Sequence, residues 1–594
     1  MPPNSARKAP GNMSADNLHA RLCEHLQRVY PHEDVPGLAA QLLEVMSLKH
    51  GQPGDPHCNH WDERDAVVIT YGDTFIGGEA HPLATLREFL ASELGGIATV
   101  VHILPFFPYS SDDGFAVIDY SSVNEALGDW DDIGAIAGDF KVMADVVINH
   151  MSSRGQWFEN YKQDLDPGRG YFIEAPVDAD LSAVVRPRTS SLLAPVETIR
   201  GTRHIWCTFS HDQVDMNFAN PQVLVEFARI LRHYLDQGIR WFRLDAVAFL
   251  WKEIGTSCIH LPQTHEIVKL LRLLVETAAP GAVIVSETNV PNRENLTYFG
   301  NGNEAHVIYN FSLPPLIIHT LISGDCRHLK TWQMTMPPAM DGTAYLNFIA
   351  SHDGIGVRPA EGLLSSEQLE DLIATMQRFG GQVTYRHLDG ATQKPYEINI
   401  ALIDALAGTV ASGPDEFRFE RFICAHTIML ALEGIPAFYI HSLLATPNDY
   451  ERVENTGRLR SINRHQWDIG ELREQLDNTA SIHARAFDEI RRRLAIRQQQ
   501  RAFHPNATQY TLHFGKEIFG FWRQSARREQ SIFALHNVTN STQTIALGEL
   551  NLINTETWVE LIDDRNVDDL HGELVLPPYG CAWLTNYHAR RGTT

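Results

Sequence analysis

No CxxC pair occurs in this chain, and its seven cysteines (positions 23, 58, 207, 258, 326, 424 and 581) are scattered and odd in number. That argues against a zinc-ribbon or thioredoxin-type motif and against a disulfide scaffold; free thiols in a reducing cytoplasm are the simplest expectation. Positive charge is also scarce. The 49 Lys and Arg stand against 73 Asp and Glu, a net charge of −24. A general nucleic-acid or anionic-membrane binder needs a basic surface, so neither partner is expected. A local group of arginines can still hold a small anionic substrate. No apolar run approaches the ~20 residues of a membrane span. The opening MPPNSARKAPGNMSADN lacks the apolar centre of a signal peptide and is expected to be disordered. HCNH (residues 57–60) has metal-binding residue types, but no second ligand cluster follows, and a surface turn is expected. The sequence sets no oligomeric state.

What is present is a long alternation. Residues 15–50 carry apolar residues at helical spacings of three and four. Apolar, strand-like runs then recur at 66–72, 97–105, 140–150, 239–245, 282–287, 306–310, 344–350 and 436–440, mostly with helical patterns between them. Strands apolar on both faces and separated by helices belong to a parallel sheet. Eight of them favour a closed (β/α)8 barrel, and no GxGxxG follows the first strand to support a dinucleotide-binding sheet. At 594 residues the chain should divide into domains. The expected division is an N-terminal extension (1–60), a first barrel part (61–150), an irregular inserted domain (151–215), a second barrel part (216–507) with a long insertion at about 355–415, and a C-terminal domain (508–594) of short antiparallel strands.

In a parallel barrel, chemistry gathers at the C-terminal strand ends. Four of the predicted strands end in polar residues: Asp145, Asn149 and His150; Arg243 and Asp245; Glu287; His352 and Asp353. One Asp at a strand end is ordinarily a turn or cap residue. Four strands ending this way would place several carboxylates, two histidines and an arginine in one mouth, which is costly unless a polar substrate uses them. Such a set suits glycosyl transfer with retention, in which an ionised carboxylate attacks and a protonated carboxyl about 5–5.5 Å away serves as acid and base. Arg243, two residues from Asp245 and on the same face, would keep that carboxylate ionised.

At these residues the chain resembles the α-amylase family of glycoside hydrolases, in the motifs DVVINH (145–150), FRLDAVAF (242–249), SETN (286–289) and ASHDGIG (350–356). The resemblance implies that Asp245 is the nucleophile, Glu287 the general acid/base and Asp353 the transition-state stabiliser. It implies that His150, His352 and Arg243 surround the sugar. PFFPYSSDDGF (105–115), KEIGTSC (252–258), FSLPPLIIHTL (311–321) and RSINR (460–464) are similar to the sucrose phosphorylase branch. There Asp112 and Arg460 match residues at the glucose 4-hydroxyl, Phe115 matches the aromatic wall and Gln213 a site-lining glutamine. Within the branch the chain looks most like the glucosylglycerate phosphorylases, in features that include KPYEIN (394–399) and Phe249. That resemblance implies reversible phosphorolysis of a glucosylglycerate, with glucosylglycerol, sucrose or sucrose 6-phosphate as alternative donors; a non-catalytic sugar-binding protein on the same scaffold is the remote alternative, which the presence of Asp245, Glu287 and Asp353 argues against. It implies no metal and no cofactor, inorganic phosphate being a co-substrate.

Phosphate and glycerate are both anions, so one cationic pocket would serve both in turn. The candidates for it are Arg358, Arg386, His387 and Lys394 in the region after Asp353, with Arg203 and His204 in the inserted domain; Tyr385 and Tyr396 are candidate donors. Lys252 and Glu253 follow the nucleophile in the next loop and are expected to brace it rather than to touch substrate.

Overall fold

Eight segments rich in Val, Ile and Phe are buried along nearly their whole length, and the chain pairs them into a closed parallel barrel. The computed structural model describes residues 15–48, 54–78, 80–188, 190–387 and 393–586. The barrel strands are β1 (Val67–Thr70), β2 (Val100–Ile103), β3 (Lys141–Val147), β4 (Trp241–Asp245), β5 (Val283–Ser286), β6 (Val307–Tyr309), β7 (Ala344–Phe348) and β8 (Ile435–Tyr439). Each pairs with its neighbour in chain order, and β1 pairs with β8 to close the ring. Only Lys141, at the entry of β3, is exposed. Helices including Pro82–Leu94, Pro221–Asp236 and Pro262–Ala278 cover the outside and start with a proline, whose missing N–H costs nothing in the first helical turn.

Three additions surround this frame. Helices α1 (Ala15–Val29) and α2 (Val35–Val45) of the N-terminal extension pack on barrel helices; Tyr30, just after α1, donates its hydroxyl to the Phe218 carbonyl (2.8 Å) and sets its ring against Trp251. The opening residues expected to be disordered, 1–14, lie outside the described residues. Residues 151–215 hold a helix (Gln156–Lys162) and a hairpin (Leu193–Thr198 with Gly201–Trp206). The two ends of this insertion pair antiparallel, His150–Ser152 with Gln213–Asp215, so residues far apart in sequence return to the same strand end.

The C-terminal residues form a six-stranded antiparallel sheet around Ile518, Phe533, Leu535, Trp558 and Leu584. The stretch after Asp353, expected as a loop, holds more structure. Its helix Ser366–Arg378 starts at a capping box of Ser365 and Gln368, and its hairpin pairs Gln382–His387 with Gln393–Asn399, the latter also bound to Ile355–Gly356. No helix among the described residues is long and apolar enough to cross a membrane.

Candidate active site

Parallel register places Asp145 on β3 beside Arg243 on β4, and Val285 on β5 beside Arg243 from the other side. Arg243 is 2% exposed. Its Nη1 donates to Asp145 Oδ1 and, at 2.8 Å, to Asp245 Oδ1, while Nη2 lies 4.0 Å from Glu287 Oε2. The guanidinium sits between the rings of Phe115 and Tyr309, whose centroids lie 5.7 and 5.5 Å away. His102 on β2 donates Nε2–H to the other oxygen of Asp145 (2.8 Å), which fixes that carboxylate as an anchor.

Burial pushes both Asp245 and Glu287 above the usual carboxylate range, and neighbouring carboxylates add to it. Two such groups compete for one negative charge. Arg243 hydrogen-bonds Asp245 and stands 4.0 Å from Glu287, so its charge favours the ionised form of Asp245 more directly than that of Glu287. Ala246, held at φ 52°, turns its N–H onto Glu287 Oε2 (3.0 Å) and so fixes Glu287 relative to the neighbouring Asp245.

The turn between β2 and the next helix is strained. Asp112 and Asp113 both adopt positive φ (56° and 49°), and Gly114 lies at φ 110°, where an added Cβ would stand 2.7 Å from the Pro105 carbonyl. Consecutive left-handed residues cost about 1–3 kcal/mol each and persist only where the surroundings over-determine them. Here Arg458 and Arg464 hold Asp113, and Gln213 Nε2 donates to Asp112 Oδ2 (3.2 Å). The turn thereby presents the Asp112 carboxylate and the Phe115 ring to the cavity. Phe115 stacks on His352 with centroids 5.2 Å apart and planes 7° from parallel. His150 donates Nε2–H to the Phe115 carbonyl (3.0 Å). Burial keeps both histidines neutral at ordinary pH, His352 pushed down to about 3.

On the opposite side, Asp353 follows β7 and meets Arg460 Nη1 at 2.7 Å. Burial alone would raise this carboxyl, but Arg460 and Arg464 outweigh it and hold it well below the usual range. Arg460 also donates to both oxygens of Glu397 (2.6 and 3.1 Å), a buried residue on the hairpin. Arg460 therefore ties the β7 loop to the hairpin that covers the site. Among the described residues Asp112, Phe115, His150, Gln213, Arg243, Asp245, Glu287, His352, Asp353 and Arg460 all line one cavity, as their expected roles require.

The rim of that cavity differs from expectation. Arg358 and Tyr396 line it. Lys394 is exposed and does not, Arg203 is turned toward Glu174 (3.9 Å), and His204 pairs with Pro195 in the hairpin of the insertion. Arg386 and His387 lie on the covering hairpin, but their side chains fall outside the described residues. Sequence reasoning missed Arg186 and Arg188, which flank Pro187 and reach the cavity from the insertion. Neither has a carboxylate at ion-pair distance among the described residues. Arg186 donates to the Ser190 carbonyl and keeps a buried Nε without partner; Arg188 lies over the rings of Phe209 and Tyr396. The available signal was RPR (186–188), two arginines two residues apart in the irregular insertion. Phe249 completes the wall, edge-on to Phe209 at 5.7 Å.

Below the site, Lys252 bears out its bracing role. Its buried ammonium reaches Asn149 Oδ1 (2.6 Å) and Asp215 Oδ2 (2.7 Å), tying the loop after β4 to both ends of the insertion. Glu253 is exposed. No cluster of three metal-ligating side chains occurs among the described residues, HCNH included.

Known proteins are similar to this chain in sequence and in fold. The α-amylase catalytic-domain family matches residues 92–369. The glucosylglycerate phosphorylase of Allomeiothermus silvanus is 41% identical over 569 residues, covering 96% of this chain and 98% of the relative. That of Escherichia coli K12 is 40% identical, covering 88% and 92%. Among solved structures, sucrose 6F-phosphate phosphorylase from Thermoanaerobacter thermosaccharolyticum shares the fold, with a TM-score of 0.70 at 23% identity over 86% of this chain and 98% of that one. The chain belongs to the α-amylase family, on its branch of glycoside phosphorylases.

Proposed function

We propose that this protein interconverts 2-O-α-D-glucosylglycerate plus phosphate with α-D-glucose 1-phosphate plus D-glycerate, retaining the anomeric configuration. The observation that carries the anionic leaving group is the rim: Arg186 and Arg188 border the cavity with no carboxylate at ion-pair distance among the described residues. A half-buried guanidinium without an ion-pair partner is placed to pair with an incoming anion.

The glucose unit sits at the base, its 4-hydroxyl end toward Asp112 and Arg460 and its apolar face toward Phe115. The neutral imidazole of His352 hydrogen-bonds its hydroxyls, and His150 and Gln213 line the same end. The ionised Asp245 attacks C1. The C1–O bond breaks, its electron pair leaves with the glycerate oxygen, and that oxygen takes the Glu287 proton. Asp353, kept anionic by Arg460, stabilises the positive charge that develops on the ring. Phosphate, already nucleophilic, then attacks C1 from the vacated face through an unprotonated oxygen, Asp245 departs as a carboxylate, and Glu287, which is not needed as a base in this attack, recovers its proton from solvent. Arg186, Arg188 and Arg358 hold first the glycerate carboxylate and then the phosphate, which favours phosphate over water. The cycle needs no bound cofactor, and the reading includes a cytoplasmic setting, which suits seven free thiols.

The arginine rim also suits a phosphorylated fructosyl leaving group, which makes sucrose 6-phosphate the second reading. The test is phosphate release from α-D-glucose 1-phosphate with D-glycerate, glycerol, fructose or fructose 6-phosphate. Release with glycerate is expected. Release with glycerol or fructose but not glycerate would overturn the assignment, and release with fructose 6-phosphate alone would favour the second reading.

A further inference from the structure

Behind Arg358 stands a carboxylate that this chemistry leaves unused. Glu294 belongs to the short helix Asn292–Asn295 in the loop after Glu287, and it does not line the cavity. Its Oε2 lies 3.8 Å from Arg358 Nη2, too far for a hydrogen bond. It is held instead by His260, which donates Nε2–H to the same oxygen at 3.1 Å and accepts from the Tyr298 hydroxyl through Nδ1 at 2.8 Å. His260 is itself strained, at φ 56°, and its backbone N–H binds the carbonyl of Ala248 in the cavity wall (3.0 Å). The loops after β4, β5 and β7 thus meet at His260, Glu294 and Arg358.

The three rim arginines are therefore not equivalent. Arg186 and Arg188 face the cavity without a carboxylate at ion-pair distance. Arg358 has one, close enough to reduce its field and too far to fix its orientation. Every leaving group and every incoming group in the proposed cycle is an anion, so a rim of three uncompensated cations would hold products as firmly as substrates. Binding that is equally strong for all of them gains nothing in turnover.

We infer that Glu294, oriented by His260 and Tyr298, sets acceptor affinity through Arg358. It is a positioning residue that attenuates the pull on anionic acceptors so that glycerate and phosphate exchange on the glucosyl-enzyme. The inference rests on the reading above that Arg358 meets the acceptor anion.

The variant Glu294→Gln removes the charge and keeps an acceptor for His260. The expected result is a KM for phosphate, measured with α-D-glucosyl fluoride as donor, that falls about two- to fivefold, as for a half-exposed ion pair. The KM for glycerate should fall alike. Hydrolysis of the fluoride without acceptor, which uses only the glucose pocket, should not change. Glu294→Ala should move KM in the same direction, and Glu294→Asp less than either. In an Arg358→Gln background the effect should vanish. An unchanged or raised KM for phosphate, or an effect that persists without Arg358, would overturn the inference. The phosphate arm stands whatever the natural acceptor proves to be: wild-type enzyme inactive with glycerate would sink the function reading, and an unmoved phosphate KM would sink this one.

Discussion

Replacing Arg243 with Gln tests how the nucleophile is kept charged. The side chain bridges Asp145 and Asp245 and is 2% exposed. For charges 2.8 Å apart, Coulomb's law at an effective dielectric of 20 bounds one contact at roughly 6 kcal/mol. Breaking a buried pair by removing one partner ordinarily costs about 3–5 kcal/mol. If roughly half of that falls on Asp245, its pKa rises by a further one to two units or so, since each unit is about 1.4 kcal/mol.

The assay is the pH profile of kcat/KM for α-D-glucosyl fluoride, which carries no titrating group of its own. Burial already places Asp245 above the ordinary carboxylate range, so wild-type activity should fall as pH drops through that raised value. In Arg243→Gln the acid limb should move to still higher pH. A carboxyl whose folded pKa exceeds its unfolded one destabilises the fold above that pKa and ceases to do so once protonated. The thermal stability deficit of the variant should therefore be largest at neutral and alkaline pH and shrink toward acid. An unmoved acid limb with unchanged stability would refute the assignment of Arg243 as the group that holds Asp245 ionised.

Two other changes test the supports of the site. Lys252→Met leaves Asp215 buried without its cation and should destabilise the protein by about 3–5 kcal/mol, read as a lower temperature of inactivation; an unchanged temperature would remove the bracing role. Gly114→Ala places a Cβ 2.7 Å from the Pro105 carbonyl at φ 110° and should displace Asp112 and Phe115, lowering kcat/KM by about 100-fold in a folded protein. Retained activity would show that this turn does not shape the glucose pocket.

The barrel is legible in the sequence because each strand is a run of Val, Ile or Phe buried on both faces, and its polar residues come at the end where a parallel barrel collects them. Asp145, Arg243 and Asp245 stand out for the same reason: a charge inside such a run has no packing explanation. The rim is less legible. Arg186 and Arg188 lie in an irregular insertion with no periodic pattern, and their place at the cavity depends on the pairing of His150–Ser152 with Gln213–Asp215, which no local signal announces. Glu397 looks like an ordinary strand residue until Arg460, far along the chain, pairs with both of its oxygens. The helix Ser366–Arg378 was within reach, since Ser365 and Gln368 spell a capping box before an amphipathic run. Lys394, Arg203 and His204 show the converse, in which a residue named from the sequence does not line the cavity.

The central claim is that Asp245 attacks and Glu287 protonates, and comparing two leaving groups in Glu287→Gln tests it most directly. Glycerate leaves as an alkoxide unless it receives a proton, whereas fluoride leaves unaided. The account expects phosphorolysis of glucosylglycerate to fall by about 10²- to 10⁴-fold while phosphorolysis of α-D-glucosyl fluoride stays within about tenfold of wild type. Equal loss on both substrates would contradict it.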